Sequence, residues 1–308
     1  MNVQRSFHND QSGILYLVAT PIGNLDDMTA RGLAVLREVD LIACEDTRQT
    51  RKLLTHFQIE KRTVSYHEHN KTASGAGLLQ LLEEGKKIAL VSDAGLPAIS
   101  DPGADLVRDA VSAGYPVVPI PGANAALTAL IASGLPTERF LFYGFLPREK
   151  KERREELVRL QRYPETLLFY EAPHRIAKTL EAMLEVWGDR EAVIARELTK
   201  RYEEFARGTL SELSEWLGTG EIRGEFCVVV AGWSPSAEQL SALADQQNSW
   251  WQELSIPQHV DHYCTQGMST KEAVKKTAED RGLAKREVYY EYHHNAEAEE
   301  ADETSADS

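Results

Sequence analysis

The sequence predicts an α/β protein with two sheets, followed by a small helical region. In the first half of the 308-residue chain, short β-rich runs alternate with helical stretches, which is the pattern of a doubly wound parallel sheet. In the second half, two successive strands are separated by too few residues for a helical crossover, which favours a mixed sheet. After Gly232 the pattern is helical alone. A chain of this length can bury two cores of ordinary size.

Five strands are expected in the first half. Each is a near-continuous apolar run rather than a strict alternation of apolar and polar residues, which is typical of parallel strands covered on both faces. With their helices they form a predicted N-terminal α/β domain over residues 13–122. The strands lie at residues 14–19, 39–43, 63–66, 87–92 and 116–119.

Three strand-to-helix junctions in this half carry loops rich in Gly, Pro, Asp or Asn, at residues 20–27, 92–103 and 119–126. Glycine lets backbone amides approach a ligand closely, proline fixes the path of the chain, and carboxylates suit hydroxyl or ammonium groups. One such loop could be an ordinary polar turn, but three at the ends of parallel strands predict a shared ligand-binding edge. None contains GxGxxG or GK[ST], so we do not expect a ligand gripped by its phosphates.

The second half is predicted to form another α/β domain, over residues 123–233. Its third and fourth strands are too close in sequence for a crossover helix, so we expect them to pair antiparallel. The five strands lie at residues 139–145, 166–171, 190–196, 202–208 and 225–232.

Residues 233–236 look like a linker into a helical appendage over residues 237–292. Its best-marked helix starts at Ser269, because Glu272 completes an S-x-x-E capping box, and it ends at Gly282.

The two helices around the turn at Gly282 resemble a helix-turn-helix. A helical pair that packs on the body of the protein or on a partner subunit is an equally good interpretation. Trp250 and Trp251 are expected in the core of the appendage, although such a pair could also stack on bases.

The net charge of −14 is concentrated toward the end of the chain. Residues 291–308 hold seven acidic side chains and no Lys or Arg, which accounts for half of it. We therefore predict a disordered acidic tail over residues 293–308. Overall acidity does not exclude an RNA partner, because a local basic stripe can attract phosphates.

Cysteine usage points to a reducing compartment. Cys44, Cys227 and Cys264 are far apart and lack CxxC spacing, which argues against structural zinc and a disulfide framework. No apolar run approaches the ~20 residues that span a bilayer. We therefore expect a cytoplasmic protein without a membrane partner. The His67-Glu68-His69 run has no third ligand nearby in sequence, so we expect no metal site there.

Six segments carry a resemblance to a known family. VATPIGNLDD, CEDTRQTRKLL, SDAGLPAISDPG, PGANAALTAL, FYEAPHR and GEFCVVVAG occur in this order. Together they resemble the tetrapyrrole methylase superfamily, whose members use S-adenosylmethionine and have the class III methyltransferase fold. The similarity covers roughly residues 13–292 and is closest to the branch that methylates a cytidine 2'-hydroxyl in the decoding centre of 16S rRNA. It implies 16S rRNA in the small ribosomal subunit as substrate, and a homodimer.

The resemblance also implies a set of cofactor-binding residues on the three loops and on the second domain. The first loop departs from the wider superfamily, because its GxGxG pattern is reduced to a single glycine. The implied residues are Pro21, Gly23, Ser92, Asp93, Ala94, Gly95, Ala123, Asn124, Glu171, Ala172, Leu198 and Val228.

Methyl transfer to a hydroxyl is an in-line displacement, and a base that accepts the hydroxyl proton adds about 10²-fold or more. Two clusters could supply it, each just after a strand. The first contains Glu45, Asp46 and Arg48, and capping of the following helix is its alternative role. The second contains Glu171, His174 and Arg175, where the last two could instead form a surface pair at a helix start.

Basic residues form two groups that could contact RNA phosphates. Residues 148–162 contain seven Lys or Arg, but a solvated helix face is an equal interpretation. The second group is Arg196, Lys200, Arg201 and Arg207. Two other functions stay open: a methylase of a small tetrapyrrole-like substrate, and a ribosome-binding protein without catalysis.

Overall fold

The computed structural model describes residues 3–4, 13–219, 222–234 and 251–303, with side chains up to residue 294 in the last range. The chain divides into two compact units, one up to Trp233 and one from Ser234 onward. Both predicted sheets belong to the first unit. The division of this unit into domains at residue 122 stays a prediction.

The first sheet is fully parallel, with strand order β3-β2-β4-β1-β5. Its strands are β1 (Ile14–Val18), β2 (Leu41–Cys44), β3 (Arg62–Ser65), β4 (Lys87–Val91) and β5 (Val117–Ile120). Its helices are α1 (Ala30–Glu38), α2 (Thr47–His56), α3 (Lys71–Glu83) and α4 (Ala104–Ser112). Separate apolar cores lie on its two faces, so the doubly wound prediction is confirmed.

The second sheet is mixed, with order β6-β7-β10-β8-β9. The predicted antiparallel pairing of β8 with β9 is confirmed, and only β6 and β7 pair in parallel. Its strands are β6 (Phe140–Phe145), β7 (Thr166–Glu171), β8 (Glu191–Arg196), β9 (Glu204–Thr209) and β10 (Phe226–Val230). The helices in this half are α5 (Ala125–Ser133), α6 (Lys150–Leu160), α7 (Ile176–Trp187) and α8 (Leu210–Gly218).

Helix α5 connects the two sheets. It follows the last strand of the first sheet, yet its buried residues Ala126, Ala129 and Leu130 pack on Leu168 and Val229 of the second. The other face of the second sheet is covered by α6, α7 and α8. The third loop, which leads into α5, therefore lies where the two sheets approach each other.

The second unit contains the helices α9 (Ile256–Thr265), α10 (Thr270–Arg281) and α11 (Lys285–Glu303). They share an apolar core that includes Val260, Val274 and Val288. The predicted capping box at Ser269 and the left-handed Gly282 at the end of α10 are confirmed.

Trp251 belongs to this unit as predicted, because its ring stacks on His259 with centroids 5.6 Å apart. Trp250 and most of the predicted linker lie outside the described residues. Helix α11 continues to Glu303 and so enters the segment for which disorder was predicted. Alanine and glutamate, which dominate residues 296–303, are strong helix formers. No helix of the described part combines the length and apolarity needed to cross a membrane.

Candidate active site

The first two loops are joined through their backbones. The Thr20 N–H donates to the Gly95 carbonyl at 2.9 Å, and the Gly95 N–H donates to the Thr20 carbonyl at 3.0 Å. The Ser92 hydroxyl closes the second loop by donating to the Gly95 carbonyl at 2.9 Å. Because β4, β1 and β5 are neighbours, their three loops lie side by side, which confirms the predicted shared edge.

Gly95 is the point where the three loops meet. Its φ of +85° is in the left-handed region, which favours glycine. A Cβ here would lie 3.3 Å from Ile22 Cγ2 on the first loop and 3.4 Å from the Ala123 carbonyl oxygen on the third. Any larger residue would push these loops apart.

A cavity of about 350 Å³ lies between the loops and the second sheet. This volume lies in the range of small-molecule sites. Six of the residues expected to bind cofactor line it: Ala94, Gly95, Asn124, Glu171, Ala172 and Leu198. The other six, Pro21, Gly23, Ser92, Asp93, Ala123 and Val228, are not part of its lining, and their cofactor contacts stay predictions.

The second sheet contributes wall residues that the sequence analysis did not single out. Tyr170 and Cys227 line the cavity, each next to a residue that was named. Side chains alternate between the faces of a strand, so Cys227 lies on the α5 side while Val228 lies on the side of α6 to α8. Strand register could have given this choice once the face toward α5 was known.

Both of these wall groups stay neutral near neutral pH. Burial raises the pKa of the Cys227 thiol and of the Tyr170 hydroxyl, each to about 12. The Tyr170 hydroxyl accepts a hydrogen bond from Ala126 N at 3.2 Å, which ties the start of α5 to β7.

Gly23 permits a close approach between the first loop and the segment after β8. A Cβ on Gly23 would lie 2.4 Å from Lys200 Cγ and 2.9 Å from Thr199 Oγ1. Glu197 and Thr199 in that segment have positive φ values of 51° and 66°. Thr199 is β-branched, for which this backbone conformation is strained. The buried Leu198 between them lines the cavity.

Glu171 is fully engaged inside the cavity wall. Its Oε1 accepts from Ala172 N at 2.9 Å and lies 3.2 Å from Arg175 Nε, and its Oε2 accepts from the Thr179 hydroxyl at 2.7 Å. Arg175 also donates to the Leu146 carbonyl at 2.7 Å. His174, by contrast, is exposed. The catalytic roles of Glu171, His174 and Arg175 stay predictions.

In the other predicted cluster, Asp46 caps helix α2. Its Oδ1 accepts from Arg48 N at 2.8 Å, and its Oδ2 lies 2.9 Å from Arg48 Nη2. These bonds to Arg48 lower the pKa of Asp46 to about 2. The capping alternative therefore describes the geometry of Asp46. Asp46 N also donates to Asp93 Oδ1 at 3.2 Å, which links this cluster to the second loop.

Asp101, on the second loop, lines the cavity and was not among the predicted site residues. Burial raises its pKa to about 6, and the nearby carboxylates of Glu45 and Asp93 raise it further. Burial, together with the charge of Asp93, also raises the pKa of Glu45. This concentration of carboxylates favours a cationic ligand over an anionic one.

The basic residues of 148–162 lie on and around α6. Arg153 is an exception to the predicted solvated or RNA-facing surface, because it is buried and donates to the Arg148 carbonyl at 3.2 Å. Six others are exposed: Arg148, Lys150, Lys151, Arg154, Arg159 and Arg162. We call these six residues the α6 basic face.

Much of the second basic group makes contacts within the protein. Lys200 lies 2.9 Å from both Glu197 and Glu225, and Arg207 donates to the Ala132 carbonyl at 2.6 Å. Arg196 donates to the Arg223 carbonyl at 2.7 Å. Among the described residues, no group of three His, Cys, Asp or Glu side chains is placed to hold a metal ion.

Comparison with known proteins gives a consistent family. The profile of tetrapyrrole (corrin/porphyrin) methylases matches residues 14–214. The chain is 56% identical over 291 residues to ribosomal RNA small subunit methyltransferase I of Bacillus subtilis (strain 168), an alignment that covers 94% of this chain and 98% of that protein.

Two solved structures show the same fold. Diphthine synthase has a TM-score of 0.57 at 16% identity, covering 76% of this chain and 95% of that one. Uroporphyrin-III C-methyl transferase from Thermus thermophilus, complexed with S-adenyl homocysteine, has a TM-score of 0.51 at 21% identity, covering 71% and 97%. The predicted class III methyltransferase fold is thereby confirmed.

Proposed function

The chain belongs to the tetrapyrrole methylase family and, within it, to the ribosomal RNA small subunit methyltransferase I group, and from this premise we propose its reaction. The protein transfers a methyl group from S-adenosylmethionine to the 2'-hydroxyl of a cytidine in the decoding centre of 16S rRNA. The observation that carries the proposal is the cavity bounded by both sheets, with carboxylates and without a phosphate-binding loop.

The residues of the cavity fit the methyl donor. Ile22, Leu198 and Ala195 offer apolar walls for an adenine, and the backbone at Ala94 and Gly95 offers hydrogen-bonding groups. The carboxylates suit a cationic donor, because they stabilise positive charge. When bound, S-adenosylmethionine supplies an electrophilic methyl group on sulfur. The protein's part is to hold the acceptor oxygen in line with that methyl group and to remove its proton.

The α6 basic face supports an RNA substrate. Phe145 lines the cavity and is 52% exposed, and α6 begins at Lys150, five residues later in the chain. Arg175 holds the connecting segment by donating to the Leu146 carbonyl. Lysine and arginine side chains at this position would contact phosphates beside the methylated nucleotide, while an exposed aromatic ring can stack on a base.

We propose further that the substrate is presented within the small ribosomal subunit and that the protein acts as a homodimer in the cytoplasm. An exposed apolar pair on α5 supports the homodimer: Leu127 is 46% and Ile131 78% exposed. Exposed aliphatic side chains of this size on one helix are typical of an interface.

Mass-spectrometric mapping of ribose methylation tests the substrate. The 16S rRNA of cells that lack the protein should lose one 2'-O-methyl group in the decoding centre, and purified protein with S-adenosylmethionine should restore it on isolated small subunits. An unchanged methylation map would contradict the proposal. Calorimetric titration with S-adenosylmethionine separates an enzyme from a ribosome-binding protein without catalysis, because only the enzyme needs to bind the methyl donor.

A further inference from the structure

We propose that Asp101 accepts the proton of the substrate hydroxyl during methyl transfer. This inference rests on the proposed function, since it requires an attacking hydroxyl in the cavity. It replaces the two clusters that the sequence offered for this role. The argument compares how each carboxylate in or beside the cavity is engaged.

Glu171 is already saturated with partners. Both of its oxygens accept hydrogen bonds, from Ala172 N and from the Thr179 hydroxyl, and Arg175 Nε lies 3.2 Å away. Its side chain is only 1% exposed. A carboxylate held this way would have to break a buried ion pair to accept a proton, so it is suited to support the wall.

The remaining carboxylates are engaged or lie behind the wall. Glu225 lines the cavity but lies 2.9 Å from Lys200 Nζ. Asp93 accepts from Asp46 N, and Asp46 itself is bound by Arg48. Neither of these two aspartates, nor Glu45, is part of the cavity lining.

Asp101 alone combines a place in the lining with a free carboxylate. Within the described residues its side chain has no hydrogen bond or ion pair, and it is partly exposed toward the cavity. The loop that presents it has positive φ at two non-glycine residues, Ala98 at 68° and Ser100 at 57°. Strain of this kind persists where the surrounding structure imposes it, and it is concentrated at functional sites.

The chemistry matches a carboxylate base. The hydroxyl oxygen forms a bond to the methyl carbon while the methyl–sulfur bond breaks, and that bond's electron pair stays on sulfur, which becomes neutral. The hydroxyl proton goes to an Asp101 Oδ atom, so charge and atoms balance. A base works best when its pKa lies near the working pH. Burial holds the pKa of Asp101 at about 6, with Glu45, Asp93 and Tyr170 as the titratable groups that face it.

The test compares Asp101→Asn with Asp109→Asn, a matched substitution on the exposed face of α4. Single-turnover methylation of small subunits is measured from about pH 5 to 9 with saturating S-adenosylmethionine. We expect Asp101→Asn to lose about 10²-fold or more in rate. Its affinity for S-adenosylmethionine by calorimetry should change less than about twofold. Asp109→Asn should behave as the wild type.

Two further readouts do not depend on the rate of Asp101→Asn. In the wild type without donor or RNA, infrared titration should show a carboxyl band that disappears with a midpoint near pH 6 and is absent in Asp101→Asn. In Glu45→Gln, the rise of the methylation rate with pH should move to lower pH, because one negative charge that raises the pKa of Asp101 is removed.

The outcomes separate this inference from the function on which it rests. Transfer by Asp101→Asn at the wild-type rate and with the wild-type pH profile overturns the role of Asp101 alone. So does a loss confined to S-adenosylmethionine binding, which would make Asp101 a donor-binding residue. Absence of transfer by the wild type overturns the proposed function, and this inference with it.

Discussion

Arg175 lies with its Nε 3.2 Å from Glu171 Oε1 and with its Nη2 2.7 Å from the Leu146 carbonyl oxygen. One guanidinium thus joins the cavity wall to the segment that leads into α6. The ion pair is buried, since the side chains of Arg175 and Glu171 are 15% and 1% exposed. The position of the α6 basic face relative to the cavity therefore depends on a charge pair inside the first unit.

Replacement of Arg175 by methionine should destabilise the first unit by about 3 to 5 kcal/mol, because it leaves the Glu171 carboxylate buried without its partner. Urea unfolding followed by fluorescence measures this. The matched control is Arg154→Met, whose pair with Glu185 spans 3.6 Å between side chains about 60% exposed. That exposed pair should contribute less than about 1 kcal/mol. Equal losses in the two variants would contradict the assigned role of Arg175.

Replacement of Gly95 by alanine should weaken S-adenosylmethionine binding by about tenfold or more, because the added Cβ meets Ile22 and the Ala123 carbonyl at the meeting point of the loops. Gly114→Ala is a close control: its φ of +84° matches the +85° of Gly95, but nothing lies within 4 Å of the added Cβ. Both variants should lose about 1 to 2 kcal/mol of stability from backbone strain. Only Gly95→Ala should lose affinity in calorimetric titration, and comparable affinities in both would refute the prediction.

Replacement of Asp101 by asparagine should stabilise the protein at pH 8. The folded-state pKa of Asp101 is about 6, above its ordinary value of 3.8, so the folded state holds the proton more tightly than the unfolded state. Wild-type stability therefore falls as the pH rises from about 4 to 6, and the variant escapes this loss.

The gain at pH 8 should be about 1 to 2 kcal/mol after allowance for the partial exposure of the group, and it should shrink toward pH 4. Thermal unfolding at both pH values measures it, with Asp109→Asn as the control. A variant that is no more stable than the wild type at pH 8 would show that the charged carboxylate is not strained in its site.

The triple variant Arg148→Ala, Lys150→Ala, Lys151→Ala should bind small subunits more weakly and with less dependence on salt. Each phosphate contact contributes about 0.7 to 0.9 to the slope of log affinity against log salt, so three contacts lower the slope by about 2 to 3.

The control triple is Lys61→Ala, Arg62→Ala, Lys86→Ala, whose members lie at the amino ends of β3 and β4, opposite to the loops. Filter binding between about 50 and 200 mM salt compares the two. An unchanged slope in the α6 variant, or the same change in the control, would exclude the α6 basic face as the phosphate contact.

Local patterns in the sequence determined the elements of this protein and the edge where its site forms. All ten strands lie within two residues of their predicted positions, because continuous apolar runs and turn residues depend on near neighbours. The order of parallel strands then placed the three loops together. The capping box at Ser269 was equally local, since both of its members lie within one turn.

Only the tertiary structure decided which side chains of the site are free to act. Glu171 and Asp101 are both carboxylates that follow buried strands, but Glu171 is neutralised by Arg175 and bound by Thr179, whereas Asp101 faces the cavity without a partner among the described residues. The inward position of Arg153 and the packing of α5 on the second sheet were likewise invisible in the sequence. The physical reason is that burial and pairing of a polar group depend on atoms brought in by distant parts of the chain, which no local pattern records.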